Sequence, residues 1–172
     1  MGSVKQVYKA LYSAHRWRDY HDFNTITVNK PTECFVAPDE ETIIPVVNDL
    51  ARSTCLSEGF PGKPMYVSDE YDKRTVRVHI SPEGYVSDLK YFTEKGEFGS
   101  TVDSKGNVYI ADGQVYVFDP SGKQTGVIKV PERPGSLAFG GKDGKTLYIT
   151  AETSLYSVTL KYIVSRTRHG IA

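Results

Sequence analysis

A spacing of about forty residues constrains this chain more than any other feature of its sequence. Met65-Tyr66-Val67-Ser68-Asp69 returns 43 residues later as Val108-Tyr109-Ile110-Ala111-Asp112. It returns after 39 more as Leu147-Tyr148-Ile149-Thr150-Ala151. Each copy reads apolar, Tyr, β-branched, small. A second extended run follows each copy: Thr75-Val76-Arg77-Val78, Val115-Tyr116-Val117-Phe118 and Leu155-Tyr156-Ser157-Val158. The last residues of these runs, Val78, Phe118 and Val158, lie 40 and 40 apart. A unit of that size cannot bury its apolar face alone, so it must stack against copies of itself.

The turns between the runs share one chemistry. Ser81-Pro82-Glu83-Gly84, Asp103-Ser104-Lys105-Gly106, Asp119-Pro120-Ser121-Gly122 and Gly141-Lys142-Asp143-Gly144 all place Gly fourth. Such stretches suit a type I turn followed by a residue with positive φ, a conformation glycine adopts without steric cost. An Asp or Ser in first position bonds the backbone two residues on. Asn107–Ala111, Gln114–Asp119 and Gln124–Val130 then read as one meander ending at Pro131. Twelve tyrosines and fifteen glycines suit strands joined by tight turns. The pattern predicts an all-β chain built of four-stranded β-propeller blades. The turn aspartates do not make EF-hand loops, which need a closing Glu at the twelfth position, and are read as solvated turns.

The repeat weakens upstream of Gly62. Thr25-Ile26-Thr27-Val28 and the stretch from Thr32 to Val36 read as short strands. Residues 39–52 could be read as a helix capped by Asp39, but Pro45 would break it, so Ile43–Val47 is read as extended. The expected organisation is an N-terminal segment with a weak first blade over 1–62, blades over 63–162, and a tail over 163–172. The tail carries Arg166-Thr167-Arg168-His169 and follows no strand pattern. Tyr8, Tyr12, Trp17, Tyr20 and Phe23 either pack against a sheet or stack on a sugar ring.

Charge and cysteine content exclude several classes. Lys+Arg and Asp+Glu number 21 each, so the chain lacks the basic footprint of a nucleic-acid binder or of a protein held on an anionic membrane. No run of about 18 apolar residues is present to span a bilayer. The first seventeen residues hold no apolar core of signal-peptide length, so no export signal is expected. Cys34 and Cys55 are the only cysteines, in no CxxC spacing, and cannot make a zinc site unaided. Their spacing leaves both thiols and a disulfide open.

For chemistry, Asp69, Glu70 and Asp112 share the link between the two strands of successive repeats. They are the expected catalytic residues, because carboxylates converging there would raise one pKa toward acid–base work. The charged link Glu70, Asp72, Lys73, Arg74 reads either as a solvated hairpin tip or as a substrate-facing loop. His79 alternates with Val76, Val78 and Ile80 and should face solvent. No GxSxG elbow occurs, and only nearness in sequence joins His21-Asp22 to Ser13 or Ser53.

The segment from Gly99 to Tyr156 resembles the C-terminal half of the SMP-30/gluconolactonase/regucalcin family. The likeness rests on D-x-x-G-N over Asp103 to Asn107, D-P-x-G over Asp119 to Gly122, G-x-I-x-[LV]-P over Gly126 to Pro131, and F-G-G-x-D-G-x-T-L-Y-I-T over Phe139 to Thr150. It extends over roughly residues 63–160. The resemblance implies a six-bladed propeller that opens lactones or related esters with one divalent metal, calcium or zinc, as Lewis acid. The family's metal-binding P-D-G triplet falls on Glu97-Phe98-Gly99, which puts Phe98 at the Asp. Its S-N-G-L segment falls on Ser53-Thr54-Cys55-Leu56, which puts Thr54 at the Asn. The first-blade Glu falls loosely on Glu33. Phe cannot coordinate a metal and a Thr hydroxyl is a weak ligand.

A blade takes about 40–45 residues, so the chain holds about four blades where a six-bladed ring needs about 240 residues. The expectation is a partial propeller, belonging to a longer chain or closed by oligomerisation. The expected function is hydrolysis of a lactone or carboxylic ester of carbohydrate origin, with a small-molecule or carbohydrate substrate. The alternative is a non-catalytic module that binds a glycan or a protein partner, its metal site lost.

Overall fold

In a computed structural model the described residues, 33–36, 43–47, 50–57, 63–80 and 86–160, form antiparallel sheets and no helix. A two-stranded sheet pairs β1 (Glu33–Val36) with β2 (Ile43–Val47). Ile43–Val47 is therefore extended, as Pro45 required. A four-stranded sheet follows in the order β3 (Ser53–Leu56), β4 (Pro64–Asp69), β5 (Arg74–Ile80), β6 (Val86–Thr93). The next four-stranded sheet holds β7 (Ser100–Val102), β8 (Val108–Asp112), β9 (Gln114–Phe118) and β10 (Gln124–Ile128). The last has three strands, β11 (Pro134–Gly140), β12 (Thr146–Ala151) and β13 (Ser154–Thr159). Strand order follows chain order in every sheet, the meander of a propeller blade. The chain is a partial β-propeller. β3 lies upstream of residue 63 and pairs with β4, so the first four-stranded blade takes its opening strand from the N-terminal segment.

The repeated tyrosine motif falls on β4, β8 and β12, the second strand of each blade. β4 and β8 are buried along nearly their whole length. In β8 the alternation divides the side chains between two neighbours. Val108 and Ile110 face the preceding blade, in a cluster with Tyr66, Phe92 and Phe118. Tyr109 and Ala111 face the following blade, in a cluster with Leu137, Leu147, Ile149 and Ala151. In β12, Leu147, Ile149 and Ala151 are buried while Tyr148 is 39% exposed. A strand is buried on both sides only where a blade stacks on each side of it. Edge-to-face rings lock these layers, Tyr66 to Phe92 at 4.7 Å, Phe92 to Phe118 at 5.9 Å and Tyr109 to Phe139 at 5.1 Å between centroids.

The described turns have the expected geometry. Gly106, Gly122 and Gly144 have φ of 84°, 91° and 71°. The Gly106 amide donates to the Asp103 carbonyl and the Gly122 amide to the Asp119 carbonyl, both at 3.0 Å. Asp103 Oδ1 accepts the Lys105 and Asn107 amides at 2.9 Å, and Asp119 Oδ1 accepts the Ser121 amide at 2.9 Å. These carboxylates are spent on closing turns, and Asp103 is buried rather than solvated as expected, its Oδ2 accepting from Asn107 Nδ2 at 2.8 Å. The expected strand at Thr25–Val28, the Ser81–Gly84 turn, the aromatic cluster, His15, His21 and the basic tail lie outside the described residues. His79 is half-buried, on the face opposite Val76 and Val78.

Candidate functional site

The chain crosses from the first four-stranded blade to the second through residues 94–99, and this segment is held by bonds on every side. Thr75 Oγ1 donates to the Lys95 carbonyl at 2.6 Å, and the Gly96 amide donates to Asp112 Oδ2 at 3.1 Å. Thr54 Oγ1 donates to the Glu97 carbonyl at 3.0 Å. The Phe98 amide donates to the Ala111 carbonyl at 3.0 Å, and the Gly99 amide to the Gly135 carbonyl at 2.7 Å. One short stretch thus ties β3, β5, β8 and β11 together. Close approach explains both glycines. A Cβ on Gly96 would fall on the Arg74 carbonyl, and one on Gly99 would lie 2.8 Å from the Gly135 carbonyl oxygen.

The Glu97 side chain is 8% exposed and forms an ion pair with Arg133, which is 52% exposed and precedes β11. The guanidinium donates from Nε to Oε2 at 3.2 Å and from Nη2 to Oε1, a two-pronged arrangement. Its carbon lies 5.2 Å from the centroid of the Phe98 ring. The hydrogen bonds and charge of Glu97, then the fields of Glu70 and Asp112, hold the Arg133 pKa above its ordinary value.

The three carboxylates expected from sequence lie in unlike settings. Asp69 ends β4 and is fully buried. It accepts the Ala51 amide on Oδ2 and the Arg52 amide on Oδ1, both at 2.9 Å, and pairs with Arg74 Nε at 3.5 Å. Glu70 pairs with Arg52 at 3.3 Å, its side chain 26% exposed. Asp112 ends β8, 14% exposed, with Lys95 Nζ at 3.9 Å from Oδ1. Lys95 also lies over the Tyr116 ring, 4.4 Å from its centroid. Each acid therefore faces a cation of its own. Arg74 serves Asp72 as well, at 3.4 Å.

Sequence reasoning did not single out Glu97 or Arg133 as functional. The available signal was slight: Glu97 flanks the Phe98 that falls on the P-D-G triplet, and Arg133 lies 36 residues downstream. At two of the metal-ligand positions, Phe98 and Thr54, the residues present do not suit a divalent metal. Phe98 has no donor atom, and a guanidinium lies over its ring. The Thr54 hydroxyl, which donates to the Glu97 carbonyl, offers only a neutral oxygen, a weak ligand beside an amide or carboxylate. Among the described residues no three His, Cys, Asp or Glu side chains converge as a metal would need. The side chain of Glu33 lies outside the described residues.

Comparison with known proteins agrees with this architecture. A lactonase, drp35 of Staphylococcus saprophyticus, is 29% identical over 125 residues, covering 66% of this chain and 39% of its own length. The chain thus spans well under half the length of that relative. A gluconolactonase from Xanthomonas campestris superposes with a TM-score of 0.62 at 21% identity, over 74% of this chain and 44% of the other. A calcium-binding protein, regucalcin of Agrobacterium tumefaciens, superposes with a TM-score of 0.59 at 21% identity, over 69% of this chain and 43% of the other. The sequence profile of the SMP-30/gluconolactonase/LRE-like region matches residues 23–153. With most of its length matched, this chain belongs to the SMP-30/gluconolactonase/LRE-like family.

Proposed function

We propose that this chain is the blade-bearing part of a hydrolase that opens a lactone or carboxylic ester of carbohydrate origin. The family profile over residues 23–153 carries this reading, and the charged side chains around the crossing segment are the candidates for its chemistry. Asp112 and Glu70 are the acid–base residues in this reading, because both are partly open to solvent and near the Arg133 cation. Ring opening needs water to attack the carbonyl carbon, a base to take its proton, and a proton for the departing ring oxygen. A partly exposed carboxylate such as Asp112 is suited to both transfers. Asp69 has a positioning role, since its oxygens are already occupied by the Ala51 and Arg52 amides and Arg74. In this reading further chain or a second copy supplies the remaining blades.

The test is hydrolysis of an aldonic acid δ-lactone by the full chain, followed by acid release, with EDTA, calcium or zinc present. Asp112→Asn should lower kcat at least tenfold while its melting temperature stays near that of the parent, a fall typical of removing one acid–base group. Absence of turnover under all three conditions would overturn the reading.

A further inference from the structure

We infer that Arg133 is the fixed cation of this site, standing where the residues no longer suit a metal, and that it binds a single carboxylate or carbonyl oxygen of a sugar acid. The choice of ligand class rests on the hydrolase reading; the presence of a built-in cation does not.

The geometry supports the assignment at several points. Glu97 takes up Nε and Nη2, which leaves Nη1 and the outward edge of the fork uncommitted to it. Arg133 is 52% exposed while Glu97 is 8% exposed, so the acid lies beneath and the cation points outward. The Phe98 ring closes one face of the guanidinium and limits its motion. Both ends of the pair are anchored through the backbone. The Glu97 carbonyl accepts from Thr54, and Gly135, two residues past Arg133, accepts the Gly99 amide. Pro134 restricts the Arg133 backbone to extended conformations. A donor fixed in this way stabilises charge on a ligand oxygen without reorganising as it forms.

The surroundings also narrow the ligand. Glu70 and Asp112 are close enough for their fields to reach Arg133. They would repel a multiply charged anion such as a phosphate more strongly than a monocarboxylate or a neutral carbonyl. A free divalent cation would meet the Arg133 charge and the donor-less Phe98 ring together.

Calorimetric titration of the full chain in EDTA with sodium gluconate, and separately with calcium chloride in EDTA-free buffer, tests the inference. Gluconate should bind the parent in EDTA, and calcium alone should give no saturable heat. Arg133→Ala should weaken gluconate at least tenfold, and Arg133→Lys, which keeps the charge but not the fork, should fall between them. If Arg133→Ala fails to fold, the pair Glu97→Gln with Arg133→Gln removes both charges together and should show the same loss. Unchanged gluconate affinity in the folded Arg133 variants, no gluconate binding by the parent, or stoichiometric calcium uptake would overturn it. Gluconate binding in EDTA, with no lactone turnover in EDTA, calcium or zinc, would overturn the hydrolase reading and leave Arg133 as the anion site.

Discussion

Asp69 and Asp112 occupy the same place in successive blades, and each accepts backbone amides from the segment leading into its own blade. Asp69 ends β4 and accepts from Ala51 and Arg52, just before β3; Asp112 ends β8 and accepts from Gly96, just before β7. The third blade has Ala151 at this position and uses another device. Glu132, in the segment leading into β11, reaches the link after β12 and accepts from the Thr153 amide and the Ser154 hydroxyl. The direction of the bond is reversed while its effect, joining link to lead-in, is kept.

The two aspartates therefore separate under mutation. Asp69→Asn keeps the shape but removes the charge facing Arg74 and turns an acceptor oxygen into an NH2 group. It should cost about 2–3 kcal/mol, as expected for a buried hydrogen-bonded charge. Asp112→Asn, partly exposed, should cost about 1 kcal/mol. Urea unfolding of both variants beside lactone turnover checks this. Equal stability losses would remove the distinction drawn between a positioning and a reacting carboxylate.

Gly99→Ala places a Cβ 2.8 Å from the Gly135 carbonyl oxygen and equally near the Ser136 Cα, both backbone atoms. The blades must part to admit it, at a cost of about 1–3 kcal/mol for overpacking. For a chain of this size that lowers the melting temperature by roughly 2–4 °C per kcal/mol. Differential scanning calorimetry reads the fall, and a melting temperature unchanged within a degree would contradict the close approach.

Thr54→Val keeps the side-chain volume and removes the donor to the Glu97 carbonyl. The loss should be about 1 kcal/mol, while Thr54→Ser retains most of the parent stability. Denaturant midpoints of the three proteins decide the matter, and equal midpoints for Val and Ser would show that the bond contributes nothing.

Glu132 has its pKa held below the usual value, chiefly by the Ser154 hydroxyl and then by the Thr153 amide and hydroxyl. A carboxylate depressed in the folded state contributes stability above its ordinary pKa and loses it as pH falls through the folded value. Tyr66 is shifted the other way, its pKa raised chiefly by burial. Its contribution is complete below its unfolded pKa near 10 and is lost as the solution becomes more alkaline. Melting temperatures of the parent and of Glu132→Gln should converge as pH drops below about 4. Tyr66→Phe should flatten the alkaline decline. A constant gap between parent and Glu132→Gln down to pH 2 would sink the first claim, and an unchanged alkaline slope the second.

Much of the fold was legible in the sequence because it rests on local chemistry. The D-x-x-G turns are decided within four residues, and the period along β4, β8 and β12 follows from one tyrosine motif. Pro45 alone excluded a helix where β2 is found. The site was less legible because it depends on contacts between blades. Nothing local to Asp69 shows that its charge is buried and balanced by Arg74, since charged links are usually solvated. Local sequence likewise does not show the cations that Arg52 brings to Glu70, Lys95 to Asp112 and Arg133 to Glu97. The Glu97–Arg133 pair needs blades docked through Gly99 and Gly135 before its partners meet at all. Motif alignment identified the positions Thr54 and Phe98, but not the guanidinium that lies over the second.

The stretch from Glu94 to Gly99 has a consequence for how the molecule comes apart. Its bonds reach four strands in three blades, so no blade can slide past its neighbour without breaking several of them. Thermal unfolding of the two four-stranded blades should then occur as a single transition. The same stretch carries Glu97, so loosening the joint would also loosen the Glu97–Arg133 pair on which the proposed anion site rests. A change of specificity introduced there by mutation would have to be mechanically tolerable before it could be chemically useful.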